Sequence, residues 1–97
     1  MEEQIQMIAA ASRLLSFKKN NPLAIPEEIF QDLSDYISEE EINENHKVYM
    51  IAAASKALEI SKKNPRLKEK EVLNLLMKDI PEIINSLEQI NNPNQKA

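Results

Sequence analysis

The chain contains an internal repeat, and this feature constrains its fold more than any other. The hexapeptide Met7–Ser12 recurs as Met50–Ser55, at an offset of 43 positions. At that offset, and without a gap, 13 of the 31 residue pairs from 7/50 to 37/80 are identical. The identities include an Asn-Pro dipeptide at 21–22 that recurs at 64–65. Because shared helical composition would not reproduce this dipeptide, we interpret the pattern as a tandem duplication.

Each unit of the repeat is predicted to form two helices. The first helix is expected over about 2–20, because Pro22 cannot continue the backbone hydrogen bonding and restricts the residue before it. The second is expected to begin near Pro26, a favourable residue for a first turn. A capping-box pattern that begins at Ser38 is expected to open the third helix, over about 39–63, with a weak stretch at 43–46. The fourth is expected over about 67–91, with a kink at Pro81 or, as the alternative, a break there.

Apolar residues at helical spacing predict which faces are buried. In the first helix the predicted apolar face carries Ile5, Ile8, Ser12 and Leu15, flanked by Met7, Ala11 and Leu14. The third helix repeats this face with Ile42, Val48, Ile51, Ser55 and Leu58.

The predicted fold is therefore all-α, a small four-helix bundle made of two duplicated helix-hairpin units. We expect one domain over 1–91, in which unit one covers about 2–38, unit two about 45–80 and an extension 81–91. Residues 92–97 are expected to form a flexible tail. The length of 97 residues agrees with a single domain.

The order of these features also resembles that of HEAT-type α-solenoid repeats. In each unit an Ala-rich helix, an Asn-Pro turn and a helix that follows it recur with a period of 43 residues. The resemblance implies, as an alternative architecture, a short stack of α-helical repeats. It implies no particular partner.

Alanines occupy matching positions in the two units. They lie at Ala9, Ala10, Ala11, Ala52, Ala53 and Ala54. Small side chains allow helix axes to approach closely, so we expect the first and third helices to pack together here, related by a pseudo-two-fold axis. The alternative is that alanine is simply the best helix former.

The last helix carries a heptad pattern that continues beyond the repeat. Leu73, Leu76, Ile80, Ile83, Leu87 and Ile90 are separated alternately by three and four residues. Much of this seam is expected to pack within the chain. Its outer part has no counterpart in unit one, and we expect it to form a homodimer contact through Ile83, Ile84, Leu87 and Ile90.

The composition removes several kinds of catalytic and cofactor site. The chain has no Gly, Cys, Trp or Thr and a single histidine, His46. It therefore lacks the glycine loops that cradle phosphates, thiolate zinc ligands and cysteine nucleophiles. We interpret His46 as a surface residue. We expect no enzyme activity, no cofactor and no metal.

The charge is unevenly distributed along the chain. The net charge of -4 is divided into -6 over residues 1–48 and +2 over residues 49–97. One basic patch stands out, formed by Lys62, Lys63, Arg66, Lys68 and Lys70. Because phosphates attract such clusters, an alternative function is that of a nucleic-acid-associated accessory protein. No aromatic residue lies within the patch to stack on bases.

The sequence thus predicts a non-catalytic protein-interaction or regulatory module, self-associating and cytoplasmic, that does not bind membranes. No stretch of about 18 apolar residues is present. A second alternative is an apolar-ligand binder between the units, lined by the flexible side chains of Met7, Met50 and Met77. Those methionines are equally explained as core residues.

Overall fold

The computed structural model describes residues 2–91, and the side chains of residues 2–89. Four helices follow one another: α1 (Glu2–Asn20), α2 (Pro26–Glu39), α3 (Glu44–Lys63) and α4 (Glu69–Asn91). No strand occurs in this part of the chain. The predicted all-α four-helix bundle is therefore confirmed. None of the four helices is both long enough and apolar enough to span a bilayer.

The two helices at the centre of the fold, α1 and α3, run side by side in the same direction. Their first turns lie next to each other, because His46 Nε2 in α3 is 3.6 Å from Glu3 Oε2 in α1. The last turns lie together at the opposite end, where Lys18 of α1 and Ser61 of α3 line one cavity. Among all helix pairs, α1 and α3 make the most extensive contact.

The other two helices run antiparallel to this central pair. The Arg13 side chain of α1 reaches Asp32 of α2 at 3.1 Å, and α2 packs mainly on α1. The second half of α4 lies against the first half of α3, since Ile83 and Ala52 line the same cleft. In addition, α4 contacts α1, so that it bridges the two units.

One apolar cluster forms the core, and no polar or charged residue among residues 2–89 is buried with it. Each helix supplies at least three buried residues, mostly at positions that match between the units. The matching buried pairs are Met7/Met50, Ala10/Ala53, Ala11/Ala54, Leu14/Ala57, Leu15/Leu58, Ile29/Val72, Leu33/Leu76 and Ile37/Ile80. The pseudo-two-fold relation between the units stays a prediction, because α4 contacts α1 whereas α2 makes no comparably extensive contact with α3.

The two turns between helices, 21–25 and 64–68, are built by equivalent hydrogen bonds. The Asn21 Nδ2 donates to the Phe17 carbonyl at 2.9 Å, and the Asn64 Nδ2 to the Ile60 carbonyl at 3.2 Å. The Asn side chains thus satisfy carbonyls that the helix end leaves without partners. These turns need no glycine, because no residue among those described has a positive φ.

The same turns also begin the next helix in equivalent ways. The Glu28 carboxylate accepts a hydrogen bond from the Ile25 N–H at 2.9 Å, and the Glu71 carboxylate from the Lys68 N–H at 2.8 Å. Each glutamate therefore makes the return hydrogen bond of a capping box. At both turns the local structure repeats at the offset of 43 residues.

The connection between the units differs from the prediction. Instead of opening α3, Ser38 lies inside α2, and Glu40 ends that helix in an extended conformation. Helix α3 begins five residues later than expected, where the Asn43 side chain accepts a hydrogen bond from the Asn45 N–H at 2.8 Å. The N-cap of α3 is therefore Asn43 and not Ser38, although Ser38 begins a capping-box pattern in the sequence.

The buried faces of α1 and α3 are also rotated from the predicted ones. Ile5 is 69% exposed, and its counterpart Val48 is 45% exposed. Leu15 and Leu58 are buried as predicted, and the rest of the buried stripe of α1 consists of Ala10 and of the residues expected only to flank the face. Close parallel packing explains this outcome, because small alanines let the two helices meet at a face that larger Ile side chains would hold apart.

Helix α4 begins at Glu69, two residues later than predicted, and continues through Pro81 to Asn91 as a single helix. The proline therefore does not break it, although it removes one backbone donor. The predicted tail at 92–97 lies outside the described residues.

Candidate functional site

The predicted dimer contact lies on the part of α4 that extends beyond the repeat. Along its heptad seam, Leu76 and Ile80 are buried, being 0% and 3% exposed. Beyond them Ile83, Ile84 and Leu87 are half-buried and pack against the core from its margin. The side chain of Ile90 lies outside the described residues. The chain's own core therefore covers the first half of the seam and only part of the second.

The six matched alanines are divided between two environments. Ala10, Ala11, Ala53 and Ala54 are fully buried, whereas Ala9 and Ala52 are half-buried. The buried four lie on the central helices of the bundle, α1 and α3. An alanine chosen only for helix propensity could equally lie in solvent, so complete burial favours a packing role for these four.

Because α1 and α3 are parallel, opposite charges collect at the two ends of the bundle. The end with their first turns carries mainly acidic residues: Glu2, Glu3, Glu39, Glu40, Glu41, Glu44 and Glu88. At this end burial, together with the nearby carboxylates of Glu88 and Glu3, raises the pKa of Tyr49. The opposite end carries Lys18, Lys19, Lys62, Lys63, Arg66, Lys68 and Lys70.

The basic end contains a cavity of about 830 Å³ between the two units. Four lysines line it, two from the last turns of α1 and two from the start of α4: Lys18, Lys19, Lys68 and Lys70. Ser61 and the acidic Glu69 also line it, and apolar residues from both units complete the wall: Leu15, Pro22, Pro65, Leu67 and Val72. We refer to it as the lysine cavity.

The carboxylates beside the lysine cavity are directed to other groups. Glu71 accepts from the Lys68 backbone N–H at 2.8 Å, and the Glu69 carboxylate accepts from the Ser12 hydroxyl at 3.2 Å. Within residues 2–89, no carboxylate lies within ion-pair distance of the four cavity lysines. Their ammonium groups are therefore available to an anion.

The basic patch predicted from sequence is divided by the structure. Lys68 and Lys70 line the cavity, whereas Lys62 and Arg66 do not, and Lys63 lies 3.5 Å from the Glu59 carboxylate. Lys18 and Lys19 were absent from the prediction, because they are more than forty residues from the rest of the patch in the chain. The parallel direction of α1 and α3 brings them there, and only the three-dimensional arrangement reveals it.

The remaining polar clusters are pairs at the surface. His46 contacts Glu3 and stacks on Tyr49, with ring centroids 6.3 Å apart. The hydrogen-bonded Asp32 carboxylate raises the pKa of Arg13, whose guanidinium also lies 5.2 Å from the Tyr36 ring centroid. In residues 2–91 no group of three or more His, Cys, Asp or Glu side chains has a metal-binding arrangement.

The three methionines proposed as lining for an apolar ligand are not together. Met7 and Met50 fill the core, at 0% and 1% exposed, whereas Met77 is 56% exposed. Other residues line the cavity between the units. An apolar pocket lined by these three residues is therefore not present.

Comparison with known proteins does not identify a relative. No protein-family model matches the chain, and neither curated proteins nor solved structures include a match. The function is therefore argued from the residues themselves.

Proposed function

We propose that the chain is a non-catalytic helical interaction module that forms a homodimer through the second half of α4. The supporting observation is that the seam residues beyond Ile80 are only half-buried within the chain. Burial is nearly complete at Leu76 and Ile80 and only partial at Ile83 and Leu87. Large aliphatic side chains at heptad spacing are the usual basis for pairing between helices.

A second copy of the chain is the partner that this surface fits best. In a two-fold pairing of two α4 helices, the half-buried Ile84 and Leu87 of one copy would pack against the same residues of the other. The exposed Met77, next to Lys78, would lie at the edge of this contact and add apolar area.

The other exposed apolar residues support the general role of an interaction module. Within residues 2–89, seven large apolar side chains are exposed: Ile5, Leu23, Ile25, Val48, Ile51, Leu75 and Met77. Single exposed apolar residues are ordinary. Two of these, Leu75 and Met77, lie on α4, and two others, Val48 and Ile51, lie on α3.

The dimer can be tested by sedimentation equilibrium up to tens of micromolar. The natural chain is expected to have the mass of two copies. The double substitution Ile84→Gln and Leu87→Gln is expected to give a monomer, because it places polar groups in the contact. Ile5→Gln is the matched control, since it changes an exposed isoleucine on another helix.

Two results would contradict the proposal. A natural chain that stays monomeric at these concentrations would exclude a stable dimer. A dimer that Ile5→Gln dissociates and the α4 variant leaves intact would place the interface on α1. Circular dichroism of every variant separates loss of the dimer from loss of the fold.

A further inference from the structure

The lysine cavity has a charge arrangement that the fold itself does not need. Lys70 lies in the first turn of α4, and Lys68 immediately precedes that helix. The start of a helix carries partial positive charge, so acidic residues are favoured there and cations are disfavoured. Unit one follows this rule, because Ile25 and Glu27 occupy the positions equivalent to Lys68 and Lys70.

The two lysines from α1 approach the same cavity from the other unit. Lys18 and Lys19 lie in the last turn of α1, where cations are favoured by the helix dipole. The Lys19 position is matched in unit two by Lys62, which does not line the cavity. The presence of four lysines around one cavity is therefore a property of the assembled bundle and not of either unit alone.

We propose that the lysine cavity binds a small molecule that carries clustered negative charge, of the polyphosphate class, beside an apolar group. The four lysines would hold the anionic part, and the positive end of α4 would add to their attraction. The apolar part would lie against Pro22, Pro65 and Leu67, the accessible apolar residues of the cavity wall. A cavity of about 830 Å³ lies in the usual range for small-ligand sites.

The shape and charge of the surroundings favour a small ligand over a nucleic acid. A nucleic-acid backbone is bound by an extended basic track. Here the four lysines line a single cavity, and Lys63 of the wider basic patch lies 3.5 Å from the Glu59 carboxylate. No aromatic side chain lines the cavity to stack on bases.

Titration with two probes tests the proposal. Inorganic tripolyphosphate supplies the charge alone, and adenosine triphosphate adds a planar organic group. Calorimetry at low salt gives the dissociation constants, and amide NMR shifts locate the site. Both probes are expected to perturb residues 18–19 and 67–72, and adenosine triphosphate is expected to bind more tightly.

Matched substitutions separate the cavity from general attraction to a basic surface. Lys19→Ala and Lys70→Ala are each expected to weaken binding about tenfold, because each removes a charge-assisted contact. Lys62→Ala is the control, since it removes the equivalent charge of unit two outside the cavity. Its expected effect is less than about twofold. All three lysines are exposed, so the variants are expected to fold.

Several results would overturn the proposal. One is the absence of NMR perturbation at residues 67–72 with either probe. If Lys62→Ala weakened probe binding as much as Lys19→Ala, the probes would be attracted to the basic surface in general and not to the cavity. If the two probes bound with equal affinity, the proposal that the ligand carries an apolar group would be wrong. Tighter binding of a single-stranded oligonucleotide, with every lysine contributing equally, would support a nucleic-acid function instead. Because the dimer is tested by mass, this inference can fail independently of it.

Discussion

The two units of the chain share their turns and core but differ in two places. At both turns an Asn side chain closes the preceding helix and a Glu carboxylate begins the next one. Unit two alone places lysines at the start of its second helix, and it alone extends that helix past Pro81. What the units share therefore builds the fold, whereas what distinguishes them supplies the candidate surfaces for binding.

The core residues that the two units share are expected to give the largest effects when they are substituted. Leu33 and Leu76 are equivalent and are 1% and 0% exposed. Leu33→Ala and Leu76→Ala are each expected to lower the free energy of unfolding by about 2–5 kcal/mol, since each leaves a cavity. Urea denaturation followed by circular dichroism measures both losses.

The two losses are expected to be similar. A loss below about 1 kcal/mol for Leu33→Ala alone would show that α2 adds little to the core. In that case the structural correspondence between the units would not extend to their stability. Glu40→Ala, at an exposed position, is the control for the denaturation measurement.

The contact between the units is tested by enlarging small residues. Ala10 and Ala53 are fully buried on α1 and α3. Ala10→Leu and Ala53→Leu are each expected to destabilise the fold by about 1–3 kcal/mol, because the added atoms separate closely packed helices. Thermal and urea unfolding check the effect.

Ala9→Leu provides the matched control at a half-buried position of the same helix, and a smaller effect is expected there. A change below about 0.5 kcal/mol for both buried variants would indicate that these alanines have room around them. The predicted close contact between α1 and α3 would then be wrong.

Much of the fold could be predicted from local signals in the sequence. The bounds of α1 follow from its acidic first turn and the Asn-Pro turn after it, and the start of α2 follows from Pro26. The structure departs from prediction where tertiary contacts decide. Alanine-based packing rotated the buried face away from Ile5 and Ile8, although their spacing on the helix favours burial.

The candidate site was less predictable than the fold, for a related reason. Lys68 and Lys70 stand out in the sequence as part of a basic run. Lys18 and Lys19, by contrast, lie in the last turn of α1, where basic residues are common because the helix dipole favours them. Their shared cavity depends on the direction in which α1 and α3 pack, and periodicity within one helix carries no information on that direction.

The charge difference between Lys70 and its counterpart Glu27 is expected to have the smallest effect on the free energy of unfolding. That effect tests the explanation of Lys70 most directly. Lys70→Glu restores the acidic residue that unit one has at Glu27, and it is expected to stabilise the fold by about 0.3–1 kcal/mol at low salt. The reverse change, Glu27→Lys, is expected to destabilise it by a similar amount. Urea denaturation at low and high salt measures both, and salt is expected to reduce both effects by screening.

The sign of the Lys70→Glu effect decides how its position is explained. A more stable variant that no longer binds tripolyphosphate would show that Lys70 is retained at a cost in stability, as binding residues often are. A destabilised variant would show instead that Lys70 supports the fold, and the electrostatic argument for the lysine cavity would fail. Because Glu27→Lys changes the equivalent position of unit one, its result shows whether the helix-dipole effect is large enough in this bundle to carry that argument.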